Sequence, residues 1–216
     1  MTNSTQEDFK NTHFDFPELS RIVGEPNLGS LMTLRNQIKA NAQTVESTLG
    51  GGLHGHLGLV LKPSVYSTMP NTAPYDRPAL PTLQISPTDT QFILAQARHQ
   101  FSEDMKEYRE VNAVERAIIQ QIVAAVEPLY IRALRDRSSN KIKKSIPTIL
   151  THLFDNYGDV TPKELQELAA RVKNMTFDPI DPIDAVFIEI DDLENIAEMA
   201  ENPYSEQQKI DMGFII

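Results

Sequence analysis

Residues 111–129 read VNAVERAIIQQIVAAVEPL, and this stretch decides the fold. Val111, Val114, Ile118, Ile122, Val126 and Leu129 recur at spacings of three and four, the period that lines one face of a helix. Such a face needs other helices to cover it. Pro128 is expected to bend or break the element, because proline lacks the N–H and clashes with the preceding turn. Leu134 closes the apolar run before the polar Ser138-Ser139-Asn140.

The same period appears on both sides. Upstream, Pro26-Asn27 opens a helical stretch whose stripe is Leu28, Leu31, Leu34, Ile38, Ala42 and Val45, with Gly50-Gly51-Gly52 expected to end it. Ser86-Pro87 followed by Asp89 reads as a further helix start, continued by Phe92, Ile93, Ala95, Ala97, Phe101 and Met105. Downstream, the pattern predicts a helix from Ile146 to Tyr157, ended by Gly158. Another starts at Thr161-Pro162 with Glu164 in capping-box position and carries Leu165, Leu168, Val172 and Met175. After a turn with two Asp-Pro pairs, Val186, Ile190, Leu193, Ala197 and Ala200 mark a fifth. Asn202-Pro203 stops it, and Ser205 begins one more, still apolar at Phe214-Ile215-Ile216, as if the chain were cut inside a helix. No alternating pattern is long enough to demand a sheet. The fold class expected is all-α, a multi-helix bundle with a Pro-rich N-terminal connector.

Between these helices the chain changes character. Residues 1–26 are polar and irregular and read as a flexible N-terminal segment, although Phe14, Phe16, Leu19 and Ile22 could dock on a core. Residues 27–62 form the N-terminal helix and a Gly-rich turn. Six prolines between residues 63 and 87 rule out a long regular element, so 63–86 is an extended connector. Residues 87–216 make up the main helical domain.

Composition narrows the function classes. The chain has 216 residues, 40% hydrophobic and 23% charged, which suits one domain or two small ones. It has no cysteine, so disulfides, cysteine nucleophiles, thiolate zinc sites and iron–sulfur clusters are excluded. No apolar run approaches the roughly 20 residues of a membrane-spanning helix, and Met1 to Lys10 is unlike a signal peptide. A cytoplasmic protein with no membrane partner is expected. The net charge of -10 argues against a dedicated nucleic-acid-binding domain.

That charge is segregated. Ten acids and no base lie between Asp178 and Glu206, including Asp184, Glu189, Asp191, Asp192, Glu194, Glu198 and Glu201. Arg132, Arg135, Arg137, Lys141, Lys143 and Lys144 are offset by Asp136 alone. Both runs read first as solvated helix faces. They are also the candidate interfaces, as complementary surfaces that meet between copies and set register. The basic run is a candidate weak, salt-sensitive RNA or polyanion contact as well.

Motifs for chemistry are sparse. His54 and His56 could share a metal in an extended segment, but spacing points to no third ligand. The glycines at 50–52, 55 and 58 lack the lysine of a phosphate-binding P-loop. The acids at Asp181 and Asp184 lack the glycine of a calcium loop. No Gly-x-Ser-x-Gly elbow is present. No catalytic, cofactor-binding or metal residue is assigned, and no small-molecule substrate is expected.

Leu49-Gly-Gly-Gly, Gly55-His56-Leu57-Gly58-Leu59-Val60-Leu61 and Tyr66 resemble the Gag-type polyproteins of copia-class LTR retrotransposons. So do the stretch from Glu115 to Ala125, Tyr130-Ile131, Ala133-Leu134, and Ile149 to Gly158, taken in that order. The resemblance covers roughly residues 27–216. It implies a helical capsid protein that self-assembles into virus-like particles around RNA, not an enzyme. The zinc knuckle of many Gags is missing, since it needs cysteine. The alternative is a helical protein-binding adaptor that never self-assembles.

Overall fold

The computed structural model describes residues 6–158 apart from 87 and 89, together with 166, 167, 169 and 170. The chain divides into two compact units, Met1–Tyr157 and Gly158–Ile216. The first holds α1 (Gln6–Thr12), α2 (Leu28–Thr44), α3 (Pro63–Tyr66), α4 (Gln91–Ala125) and α5 (Ile146–Tyr157). Among the described residues there is no strand, only an isolated antiparallel bridge between Arg135 and Ile142. In the second unit Gln166, Glu167, Ala169 and Ala170 are helical, within the stretch read as starting at Thr161. The helices expected over 186–200 and from Ser205, and the candidate acidic residues Asp184 to Glu201, lie outside the described residues.

α2 begins where the sequence predicts. The Asn27 side chain accepts the Ser30 N–H at 2.9 Å and the Ser30 hydroxyl accepts the Asn27 N–H at 3.0 Å, a reciprocal capping box. Leu28, Leu31, Leu34, Ile38 and Ala42 are buried along it, together with Met32 and Asn41. The helix stops at Thr44, ahead of the glycines, because Val45 is already extended and turns its side chain into the core.

α4 is one continuous helix of 35 residues, about 52 Å long at 1.5 Å per residue. The two apolar stretches read from the sequence merge because Lys106 to Glu110 contains nothing that breaks a helix. Thr90, not Ser86, caps its start, accepting the Ile93 N–H. It ends at Ala125, short of Pro128. Proline pushes the residue before it out of helical conformation, and Val126 has already left the helix. Only the C-terminal half enters the core: Val111, Val114, Ala117, Ile118, Gln121, Ile122 and Ala125 are its buried residues. α5 supplies Ile146, Ile149, Leu150 and Leu153. The Arg35 guanidinium of α2 lies 5.5 Å over the Phe154 ring of α5.

The structure departs from the sequence reading at the N-terminus. Residues 1–26 are not a free segment where described: Phe9, Phe14, Leu19 and Ile22 are buried in the common core. Their spacing fits neither helix nor strand, since the segment after α1 is held by side chains of α2 and α4 and not by a backbone ladder of its own. Residues 27–62, α4 and α5 also share that core, and the boundary of the compact unit falls after Tyr157. The connector read over 63–86 has no regular element from Ala73 to Ser86, but its start is not extended: α3 takes Pro63–Tyr66 and turns follow to Asn71.

Candidate functional site

The basic run is a loop, not a helix face. Arg132–Leu134 form a single tight turn that buries Leu134 and leaves Arg132 outside. The chain then makes a short hairpin closed by the Arg135–Ile142 bridge, with the Asp136 N–H donating to the Lys141 carbonyl at 2.9 Å. Asp136 organises its tip. Its carboxylate accepts the hydroxyls of Ser138 at 2.6 Å and Ser139 at 2.7 Å and the Ser139 N–H at 2.8 Å. These bonds, led by that from Ser138, hold the Asp136 carboxyl well below the usual aspartate range. Asn140 completes the turn with φ 54°, a conformation asparagine tolerates better than most residues.

The six candidate cations divide within this loop. Arg135 is half-buried and donates to the Asn140 carbonyl at 3.0 Å, so it belongs to the scaffold. Lys143 pairs with Asp136 at 3.5 Å. Arg132, Arg137, Lys141 and Lys144 are exposed and form no ion pair with any described residue. Four cations thus stand on a loop whose one acid is engaged by its own serines and Lys143. An NMR titration of the Ser139 amide should report a midpoint below the ordinary aspartate value of about 3.9. The folded-state pKa is depressed, so the stabilisation is complete above about pH 4 and is lost as pH falls further. A midpoint at or above the ordinary value would contradict this loop geometry.

The Gly-rich stretch folds into a tight corner. His56 is 1% exposed; its Nδ1 lies 2.8 Å from the Tyr75 hydroxyl and its Nε2 3.3 Å from Glu110 Oε1 on α4. His54 lies elsewhere, with Nε2 3.4 Å from the Pro70 carbonyl. The pair read as possible co-ligands therefore faces different partners, and no group of three metal-ligating side chains stands together among the described residues. Tyr66 and Tyr75 pack edge to face at 5.7 Å. Burial is the main cause that raises the Tyr75 phenol, with Tyr66 adding to it, so the hydroxyl stays protonated beside His56. The glycines serve this packing: a Cβ on Gly58 would clash with Cγ and Cδ2 of the Tyr75 ring.

Two residues after Tyr75, Arg77 clamps the connector to α4. Its guanidinium donates to both Glu115 oxygens, one of them at 2.9 Å, and to Asn112 Oδ1 at 3.0 Å. The residues that carry the family resemblance here are thus wall and hinge of a corner and form no phosphate cradle.

Comparison with protein-family models, with curated proteins and with solved structures finds no match.

The feature that sequence reading missed is a pair of buried amides. Asn41 on α2 and Gln121 on α4 bond each other at 3.0 Å, and both bond the backbone of the N-terminal segment. Asn41 Oδ1 accepts the Phe16 N–H and its Nδ2 donates to the Phe16 carbonyl, both at 2.8 Å. Gln121 Nε2 donates to the carbonyls of Phe16 and Pro17 at 2.9 Å. The signal available was the position of each amide on the apolar stripe of a helix, where a polar side chain needs a partner.

Proposed function

We propose that this chain is a Gag-like structural protein of a copia-type retrotransposon that works through contacts between copies and assembles into virus-like particles. The observation that supports this best is the rigid basic loop. Arg132, Arg137, Lys141 and Lys144 project from a helical core while the loop's one acid is engaged in holding its shape. Cations carried on a loop of defined shape set register against an acidic surface, and their contribution weakens as salt rises. The acidic run from Asp184 to Glu201 is the complementary surface on this reading. RNA is a weaker second partner for the same cations. The ordered motifs from Leu49 to Gly158 supply the family assignment.

The test is mass distribution by size-exclusion chromatography with light scattering, across protein and salt concentrations, with electron microscopy of the largest species. Salt-sensitive oligomers are expected. Arg137→Glu with Lys141→Glu should weaken association about tenfold or more at low salt and leave thermal stability unchanged, because neither side chain holds the loop. A monomer at every concentration and salt would favour the adaptor reading instead.

A further inference from the structure

The N-terminal segment sits on the rest of its unit as a peptide sits on a receptor. Phe9, Phe14, Leu19 and Ile22 are apolar anchors sunk in the core. Between them the backbone is read by side chains: Asn41 and Gln121 at Phe16 and Pro17, and Gln37, whose Oε1 accepts the Ser20 N–H and whose Nε2 donates to the Ser20 hydroxyl, both at 2.8 Å. The Ile22 N–H caps the C-terminal end of α4 by donating to the Ala125 carbonyl at 2.8 Å. The order of these contacts fixes the direction. From Phe16 to Ile22 the segment runs from Asn41 towards Gln37 on α2, and from Gln121 towards Ala125 on α4. It lies in the groove between the two helices, antiparallel to α2.

The chain must therefore reverse before it enters α2 at Leu28, and it does so over Val23 to Asn27. The first half of this turn, Val23 to Glu25, is exposed and weakly tied, while Pro26 is buried and Asn27 caps α2. Val23 is 83% exposed, and Gly24 takes φ +79° with nothing within 4 Å of where a Cβ would sit. One hydrogen bond, from the Gly24 N–H to Glu127 Oε1 at 3.2 Å, crosses to the body. A strong anchor on a weak, left-handed turn is the arrangement from which identical elements exchange between copies, because every contact made within one chain can be made again between two.

We infer that the groove between α2 and α4 is a site for the arm of a second copy, and that the segment from Phe9 to Ile22 passes from one copy to the next when Gly24 opens. The inference rests on the self-assembly reading and names the contact through which assembly proceeds. It needs no new complementary surface, and in the exchanged form each groove is filled by a partner's arm.

The hinge gives the test a direction. Gly24→Val meets no steric obstacle but disfavours the left-handed turn, which only the closed form requires. Exchange should then become easier by about tenfold per hinge, or about a hundredfold for a reciprocal dimer. The wild-type chain and G24V are compared by light scattering over a concentration series. The chain has no cysteine, so Asp15→Cys on the exposed arm carries a donor dye in one preparation and Asn36→Cys, exposed on α2, carries an acceptor in another. Energy transfer on mixing is expected. Gln121→Ala weakens the same arm contacts in the closed and exchanged forms, so in either copy it should speed the rise of energy transfer by about tenfold and leave its final level unchanged.

Oligomers whose rate of mixing is the same with and without Q121A would overturn arm exchange and leave self-assembly standing. A monomeric wild type with a transfer-positive G24V dimer would support the exchange and count against the particle reading. No dimer in either chain would overturn both. If Q121A fails to fold, G24V alone decides: an unchanged dimerisation constant overturns the inference.

Discussion

Gly55→Ala is expected to lower the stability of the unit by about 3 kcal/mol or more. Gly55 holds φ +52°, which costs an L-residue about 1–2 kcal/mol. The added Cβ would also stand 2.5 Å from the Val45 carbonyl oxygen, 2.6 Å from that of Gln43 and 2.8 Å from that of Ala42. These oxygens belong to backbone at the C-terminal end of α2, so no side chain can swing aside. The Ala42 carbonyl is moreover committed, accepting the His56 N–H at 2.8 Å. Relief of the clash must pull His56 away from Ala42 or unwind the last turn of α2, and either displaces the buried ring from Tyr75 and Glu110. At about 2–4 °C per kcal/mol for a unit of this size, the melting temperature should fall by roughly 6–12 °C. Gly29→Ala is the control. Gly29 has no left-handed φ, and its nearest neighbour would be Asn27 Oδ1 at 3.6 Å. In a helix that exchange is neutral or stabilising by up to about 1 kcal/mol. Equal melting temperatures for G55A and wild type would show that the corner does not pack as described.

Much of the helical frame was legible because it rests on periodicity. The stripe of α2 and the bounds of α5 follow from spacing alone, since an apolar face of the right width has only one way to be buried. The length of α4 was less so. Its N-terminal half is amphipathic without being buried, and hydrophobic spacing does not tell whether a face is covered. The basic run was legible as charge but not as shape. Arg132 to Lys144 has no breaker stronger than Ser138-Ser139-Asn140, and what makes it a hairpin is the Asp136 carboxylate gathering three donors, a local bond pattern invisible to composition. His56 was visible as a residue of interest in a glycine-rich turn, but its partners were not. Histidines two apart suggest a shared ligand, while the fold turns one to Pro70 and the other to Tyr75, a partner 19 residues away. The N-terminal arm was the largest departure. Phe14, Leu19 and Ile22 have no period because they pack into a core shared with α2 and α4, while Phe16 leaves its side chain exposed and is held by its backbone alone.

The amides that hold this arm give the second large effect. Asn41→Leu is nearly isosteric and places an apolar side chain at a site with no exposure. Hydrophobic transfer alone would make it stabilising, by at most about 1.5–3 kcal/mol. Against that, the Phe16 N–H loses its acceptor and Gln121 Oε1 loses its donor, at about 1–3 kcal/mol for each group left unpaired in the interior. The Phe16 carbonyl keeps Gln121 Nε2 and loses less. Leucine also cannot recover its full transfer energy, because its new neighbours are an amide and two backbone groups and not methyls. The polar cost should win, and N41L is expected to lose about 2 kcal/mol by urea unfolding. The cycle with Gln121→Ala separates this account from simple misfit. Once Gln121 is gone, N41L no longer orphans the buried Gln121 oxygen; it does take the last amide donor from the Phe16 carbonyl, but that carbonyl belongs to an exposed residue and can turn to water. The double variant should therefore be more stable than the sum of the singles by about 1 kcal/mol. Additive losses would mean that the two amides act separately on the arm. A rise in stability for N41L alone would mean that the arm's backbone is satisfied by water, and the groove would then be a poor receptor for an arm from either copy.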